Sequence, residues 1–137
     1  NMPEEFRRCA WSTAAPPPPV TSATPPGTCP RIALVSTFPP RECGIATFTD
    51  QLLGGLREVC GEDRVTVIAV KHQDQPISEY NGSIVSAAMH EYEVDHYRAA
   101  ADLLISRSIS LVLLQHEFGI YPGSNIICFA SRLYEQR

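Results

Sequence analysis

The residues that could bind an anion lie together, where an apolar segment ends and a helical pattern begins. Gly44 starts the helical pattern, and Cys43 directly precedes it. The first turn of a helix has unpaired N–H groups and a partial positive charge, so it attracts phosphates and carboxylates. A glycine lets an anion approach the backbone closely, and the hydroxyls of Thr47 and Thr49 add donors. These residues predict an anion-binding loop; the alternative is a helix cap that contains a glycine.

Two further side chains are candidates for chemistry. His116 follows the apolar run that ends at Leu114, and its imidazole could donate to a sugar hydroxyl or a carbonyl. The alternative is a histidine satisfied by a neighbouring backbone carbonyl. Cys43 sits before a helix N-terminus, where the pKa of a thiol tends to fall, but the sequence assigns it no base.

The other polar residues and several standard motifs give no site. His72, His90 and His96 are interpreted as solvated, and Glu91-Tyr92-Glu93 as a solvated face or a strand edge. No G-x-G-x-x-G or G-K-[ST] follows the first apolar run, which argues against a nicotinamide cofactor and a P-loop. His116-Glu117 lacks a second histidine at helical spacing, so no zinc site is expected.

The elements that must position these residues alternate between strands and helices. Apolar runs predict strands at about 31–37, 64–70 and 110–115, with a short one starting at Ile84-Val85. Helices are predicted at about 44–59, 96–107 and 124–135, the second with Asp95 as its N-cap. The apolar stripe of the first helix is Ile45, Phe48, Leu52, Leu56 and Val59. This alternation predicts an α/β fold, a Rossmann-like parallel sheet with helices on both faces.

Composition narrows the class of protein. The chain has 137 residues, enough for one domain with a core, and its net charge of -4 gives no basic footprint for nucleic acid. No apolar run approaches the roughly 18 residues that span a bilayer, so no transmembrane segment is expected. Five widely spaced cysteines without a C-x-x-C pair argue against a disulfide framework and fit a reducing compartment. With no secretory signal evident, a cytoplasmic location is expected.

The first 30 residues differ from the rest. Pro16 to Pro19 and Pro25 to Pro26 lie among Ser, Thr, Ala and Gly. Such a segment cannot bury enough apolar area to offset its ordering entropy. We expect residues 1–30 to be a disordered, Pro-rich tail and residues 31–137 to form the folded domain.

One segment also resembles a known family. STFPPRECGIATFTDQLLGGL, from Ser36 to Leu56, resembles the first loop and helix of GT-B glycosyltransferases of family 4. DHYRAAADLL and LVLLQHEFGIYPG resemble later segments of that family, in the same order and at suitable distances. The resemblance extends from Arg31 to the end of the chain.

The resemblance implies a function and a set of residues. Such enzymes have two Rossmann-like domains and transfer a sugar from a nucleotide-sugar donor to an acceptor with retention, needing no metal and no cofactor. This chain would be most of the N-terminal, acceptor-side domain, without the C-terminal domain that holds the donor. Gly44, Ile45 and Ala46, with Thr47, would face the donor phosphates. His116 would reach the reacting sugar as the catalytic residue, and Glu117 beside it joins the substrate-binding set.

Two other functions stay open at this point. One is an α/β module that binds a phosphorylated small molecule at the Gly44 helix. The other is a noncatalytic interaction domain that has the fold without the chemistry.

Overall fold

A computed structural model describes residues 28–72, 74–75, 80, 82–117 and 119–135. In these ranges the elements are β1 (Ile32–Ser36), α1 (Gly44–Cys60), β2 (Val65–Lys71), β3 (Val85–His90), α2 (Val94–Ser106), β4 (Leu111–Leu114) and α3 (Asn125–Glu135). A 3-10 turn, Glu62–Arg64, connects α1 to β2. The predicted Pro-rich tail lies outside the described residues except for 28–30, so it stays a prediction.

β1 lies inside the sheet and sets its register. The strand order is β3-β2-β1-β4, and every neighbouring pair is parallel. Ile32 lies opposite Val65 on one side and opposite Leu111 on the other. All residues of β1 are buried, as expected for a strand covered on both faces. The predicted parallel pairing of the first two strands is confirmed.

Helices cover both faces of the sheet. On one face, α2 and α3 bring Tyr97, Leu104 and Phe129 into a cluster with Val35 and Ile68. On the opposite face, α1 contributes Leu53 to a second cluster, whose strand residues include Ile32, Leu34, Val65 and Val67. The α/β class, with a Rossmann-like parallel sheet and helices on both faces, is therefore confirmed.

The inward face of α1 differs from the predicted apolar stripe. Phe48 and Val59 were placed in that stripe, but they are 52% and 79% exposed. The buried residues of α1 are Ala46, Thr49 and Leu53. Small side chains bring the helix close to β1, where the Thr49 hydroxyl donates to Ser36 Oγ at 2.8 Å. The predicted stripe is right for Ile45, Leu52 and Leu56, which are partly buried and pack against the core. It is wrong at its exposed members because hydrophobicity alone passed over a small and a polar residue that face the sheet.

The start of one helix also differs from the prediction. α2 begins at Val94 with Glu93 as its N-cap, and Asp95 lies in the first turn, where it pairs with Arg98 at 3.1 Å. Asp95 is therefore not the N-cap. β3 starts at Val85, as predicted, and continues to His90 in parallel register with β2.

The cysteines are not all in one state. Cys29, Cys43 and Cys60 are free thiols, whereas Cys128 in α3 is disulfide-bonded. The sequence analysis expected reduced cysteines, and Cys128 does not follow that expectation.

Within the described ranges, no helix is both long and apolar enough to cross a membrane.

The observed inward face of α1 predicts unequal effects of two truncations on one helix. Leu53→Ala should lower the free energy of unfolding by about 2–5 kcal/mol, because Leu53 is 3% exposed and its removal leaves a cavity. Val59→Ala, at a solvated position, should change it by no more than about 0.5 kcal/mol. Urea unfolding followed by circular dichroism measures both. Equal losses would contradict the orientation of α1.

Candidate functional site

The carboxyl ends of the parallel strands lie at one edge of the sheet, which we call the carboxyl edge. Ligands of open α/β sheets bind at this edge. Thr37 follows β1, His72 follows β2, Glu91 follows β3, and Gln115 and His116 follow β4. The fold thus gathers both sequence candidates, the Gly44 loop and His116, with polar residues of two further strands.

The loop after β1 is closed by Cys43, the N-cap of α1. Its Sγ accepts the Ala46 N–H at 3.4 Å and lies 3.3 Å from Thr37 Oγ1. Its carbonyl accepts both the N–H of Thr47, at 3.1 Å, and the Thr47 hydroxyl, at 3.3 Å. The chain itself therefore engages the amides of Ala46 and Thr47. The peptide bond between Pro39 and Pro40 in this loop is cis.

Gly44 leaves the N-terminus of α1 open. It is exposed, and a Cβ added there would meet no atom within 4 Å. Its backbone is not in the left-handed region, so neither space nor conformation requires a glycine. Ile45 is half-buried and Ala46 fully buried, so of the predicted phosphate-facing residues Gly44 and Thr47 are the accessible ones. Thr49 donates inward to Ser36 and serves the scaffold, not the loop.

The thiol of Cys43 is activated by its surroundings. Partial burial alone would raise its pKa, but the Thr37 hydroxyl, the Ala46 amide and the positive charge of Arg41 favour the thiolate, and the net effect is a lowered pKa. At the other end of α1, Cys60 has the opposite shift. A hydrogen bond with Cys29 raises the pKa of the Cys60 thiol, and burial adds to this.

His116 is held from one side by an aromatic ring. It is exposed, and its ring stacks on Tyr121 with 5.7 Å between centroids and 30° between planes. Tyr121 is buried and donates its hydroxyl to the Val35 carbonyl at 3.0 Å; burial raises the pKa of this phenol, so it stays a neutral donor. No hydrogen bond to the His116 ring is found among the described residues. The imidazole is thus exposed and stacks on a buried ring. Glu117 beside it is exposed.

A second polar group at the carboxyl edge was missed by the sequence analysis. His72 Nδ1 lies 2.8 Å from Glu91 Oε1, and the two side chains are 56% and 7% exposed. The Glu91 carbonyl also accepts the Tyr97 hydroxyl at 3.0 Å. Of the segment predicted to be a solvated face or a strand edge, Tyr92 and Glu93 are exposed. Glu91, which directly follows the edge strand β3, is a buried carboxylate that orients an exposed imidazole. Its position directly after a strand was the available signal.

His90 and His96 belong to the scaffold. His90 is buried, and its Nδ1 accepts the Tyr92 N–H at 3.1 Å. His96 Nδ1 accepts the His90 N–H at 3.1 Å. The prediction that His90 is solvated was therefore wrong. These imidazoles fix the turn between β3 and α2, because each accepts a backbone donor that the sheet leaves unpaired.

Comparison with known proteins finds no relative of this chain. Searches against protein-family models, curated proteins and solved structures find no match for this chain. Among the residues that the structure describes, no group of three or more His, Cys, Asp or Glu side chains could hold a metal ion. The chemistry of the site thus rests on an open helix N-terminus, a thiol with a lowered pKa and oriented imidazoles.

Alkylation by iodoacetamide over a pH series, with each cysteine followed by mass spectrometry, tests the electrostatics of the loop. The rate at Cys43 should reach its midpoint below the ordinary thiol pKa of 9.0, and the rate at Cys60 above it, because only thiolates react. Thr37→Val removes a hydroxyl that stabilises the thiolate, so the Cys43 midpoint should move upward.

Thr47→Val is the matched control. The Thr47 hydroxyl donates to the Cys43 carbonyl and not to the thiol, so this variant should leave the midpoint in place. A Cys43 midpoint at or above that of Cys60, or equal shifts in the two threonine variants, would contradict this description of the loop.

Proposed function

We propose that this chain is the acceptor-side domain of a retaining glycosyltransferase, which transfers a sugar from a nucleotide-sugar donor to an acceptor. The donor nucleotide would be held by a second domain that is not part of this sequence. The resemblance of the segments around Gly44 and His116 to GT-B glycosyltransferases of family 4 supports the proposal. The parallel α/β fold is consistent with it.

The adjacency of the two candidate loops carries the proposal. β4 pairs directly with β1, with Leu114 opposite Val35. Neighbouring strands are about 4.8 Å apart, so the segments that follow them leave the carboxyl edge side by side. The loop that leads to α1 and the segment that contains His116 thus follow neighbouring strands at the same edge of the sheet. The proposal puts a diphosphate at the helix N-terminus and a sugar at the histidine.

The chemistry of sugar transfer uses this arrangement. Negative charge builds on the leaving diphosphate as the glycosidic bond breaks. Fixed N–H dipoles aimed at that charge stabilise the transition state more than the ground state. In this proposal Gly44 supplies the closest backbone approach, Thr47 a nearby side chain, and His116 a contact to the transferred sugar with Glu117 next to it. No step requires a metal ion.

The proposal predicts a strong effect of a side chain at position 44. Gly44→Val should lower turnover about a hundredfold, corresponding to roughly 3 kcal/mol, because the side chain pushes the phosphate from the helix N-terminus. Gly54→Val is the matched control: it lies on the same helix, and its Cβ would also meet nothing within 4 Å. His116→Ala should also lower turnover, with a smaller effect on nucleotide binding.

The measurement is release of nucleoside diphosphate by the full-length protein, supplied with a panel of nucleotide-sugars. Circular dichroism checks that each variant is folded. Near-normal turnover of both folded site variants would show that the loops are scaffold. If the parent protein binds nucleotide-sugars at the Gly44 loop without transferring sugar, a binding module is the correct function instead.

A further inference from the structure

A pocket of about 300 Å³ opens at the opposite edge of the sheet, where the strands begin. We call this the amino edge. The pocket is lined by Arg31, Asp63, Arg64, Thr66, Arg107 and Ile109. Three of its six residues are arginines, although the chain as a whole has a net charge of -4. This concentration of positive charge has no role in the function proposed above.

The topology of the sheet brings the three arginines together. Arg31 directly precedes β1, and Arg64 directly precedes β2. Since Ile32 lies opposite Val65, the two arginines precede neighbouring strands. Neighbouring strands of a sheet are about 4.8 Å apart. Arg107 arrives from a third segment as the C-cap of α2. The three arginines are therefore distant from one another in sequence and are brought together by folding.

Hydrogen bonds hold two of the guanidinium groups in place. Arg31 Nη1 donates to the Arg107 carbonyl at 3.1 Å. Arg107 Nη1 donates to the hydroxyl of Ser86, which in turn contacts the Thr66 hydroxyl on the pocket wall. Each guanidinium has five N–H donors, so most of them stay open after these contacts. For Arg64, no side-chain hydrogen bond is found within the described ranges.

Within the described ranges, no ion pair neutralises the pocket arginines. The arginine–carboxylate pairs found there are Asp95–Arg98 and Asp102–Arg132. Asp63 is the one carboxylate on the pocket wall, against three guanidinium groups. The C-terminal end of α2 contributes a partial negative charge, which explains why Arg31 contacts the Arg107 carbonyl. It does not account for Arg64 or for the donors that remain.

We propose that the amino-edge pocket binds a small phosphate-bearing molecule. A guanidinium matches a phosphate with two parallel N–H···O bonds, and several arginines around one pocket suit a dianion better than a carboxylate. The volume is at the lower end of the roughly 300–1,000 Å³ of ligand pockets, which fits a soluble phosphate monoester. The Thr66 hydroxyl supplies a neutral polar group on the same wall.

The test is thermal unfolding and isothermal titration calorimetry of the purified chain with inorganic phosphate and with a sugar phosphate. Sodium chloride at matched ionic strength is the reference. Saturating phosphate should raise the Tm by about 5 °C, since a ligand that binds only the folded state stabilises it. Arg64→Gln should weaken binding at least about tenfold, because it removes a charged bidentate donor whose side chain makes no hydrogen bond within the described ranges.

Two matched variants locate the effect. Arg98→Gln changes a half-buried arginine of α2 that pairs with Asp95, outside the pocket, so it should leave phosphate binding unchanged. Arg132→Gln changes an exposed arginine of α3 that pairs with Asp102 and should also leave it unchanged. Loss of the phosphate response in either control variant would show that the response does not come from the pocket arginines and would overturn the proposal.

Three other results would also overturn it. These are an equal Tm shift in chloride, an unchanged affinity in folded Arg64→Gln, and binding only to vesicles with phosphate headgroups. The outcome is independent of the proposed transferase activity, because the readout is binding to this chain and needs neither donor nor acceptor.

Discussion

The parallel pairing of β1 with both of its neighbours is the constraint on which the structure depends. Parallel strands require crossover connections, so each strand must be followed by a segment that returns to the opposite edge. The Val35 carbonyl shows how tightly β4 is joined to β1, because it accepts both the Gln115 N–H and the Tyr121 hydroxyl, each at 3.0 Å. Through Tyr121 the same contact also supports the stacked ring of His116.

The same constraint gives the two edges of the sheet different chemistry. The carboxyl edge carries an open helix N-terminus, a thiol with a lowered pKa and imidazoles oriented by Tyr121 and Glu91. The amino edge carries arginines, near the partially negative C-terminal end of α2. The interior of β1 between them is apolar and buried, so the two edges can bind ligands without a shared side chain.

Patterns of apolar residues were enough to predict the elements, but not the buried polar contacts. The fold class and the parallel pairing of the first two strands were predictable, since β1 and β2 are runs of buried aliphatic residues. The inward face of α1 was not, because Thr49 faces the sheet through a hydrogen bond to Ser36 that no hydrophobicity pattern contains. Glu91 was missed for a related reason. Its carboxylate makes a hydrogen bond with His72, a residue distant in sequence.

At the candidate site, the Cys43 thiol and any bound anion would both interact with the N-terminus of α1. The Cys43 thiol already accepts the Ala46 N–H, and its thiolate form gains from the same partial positive charge that would attract a phosphate. A thiolate there would repel a phosphate at Gly44, whereas the neutral thiol is only a weak acceptor and competes little. Because coupling between two sites is reciprocal, an anion bound at Gly44 must favour the protonated thiol as much as protonation favours the anion. Gly44, which no neighbouring atom requires to be a glycine, is the point of this helix end that stays open when Cys43 is protonated.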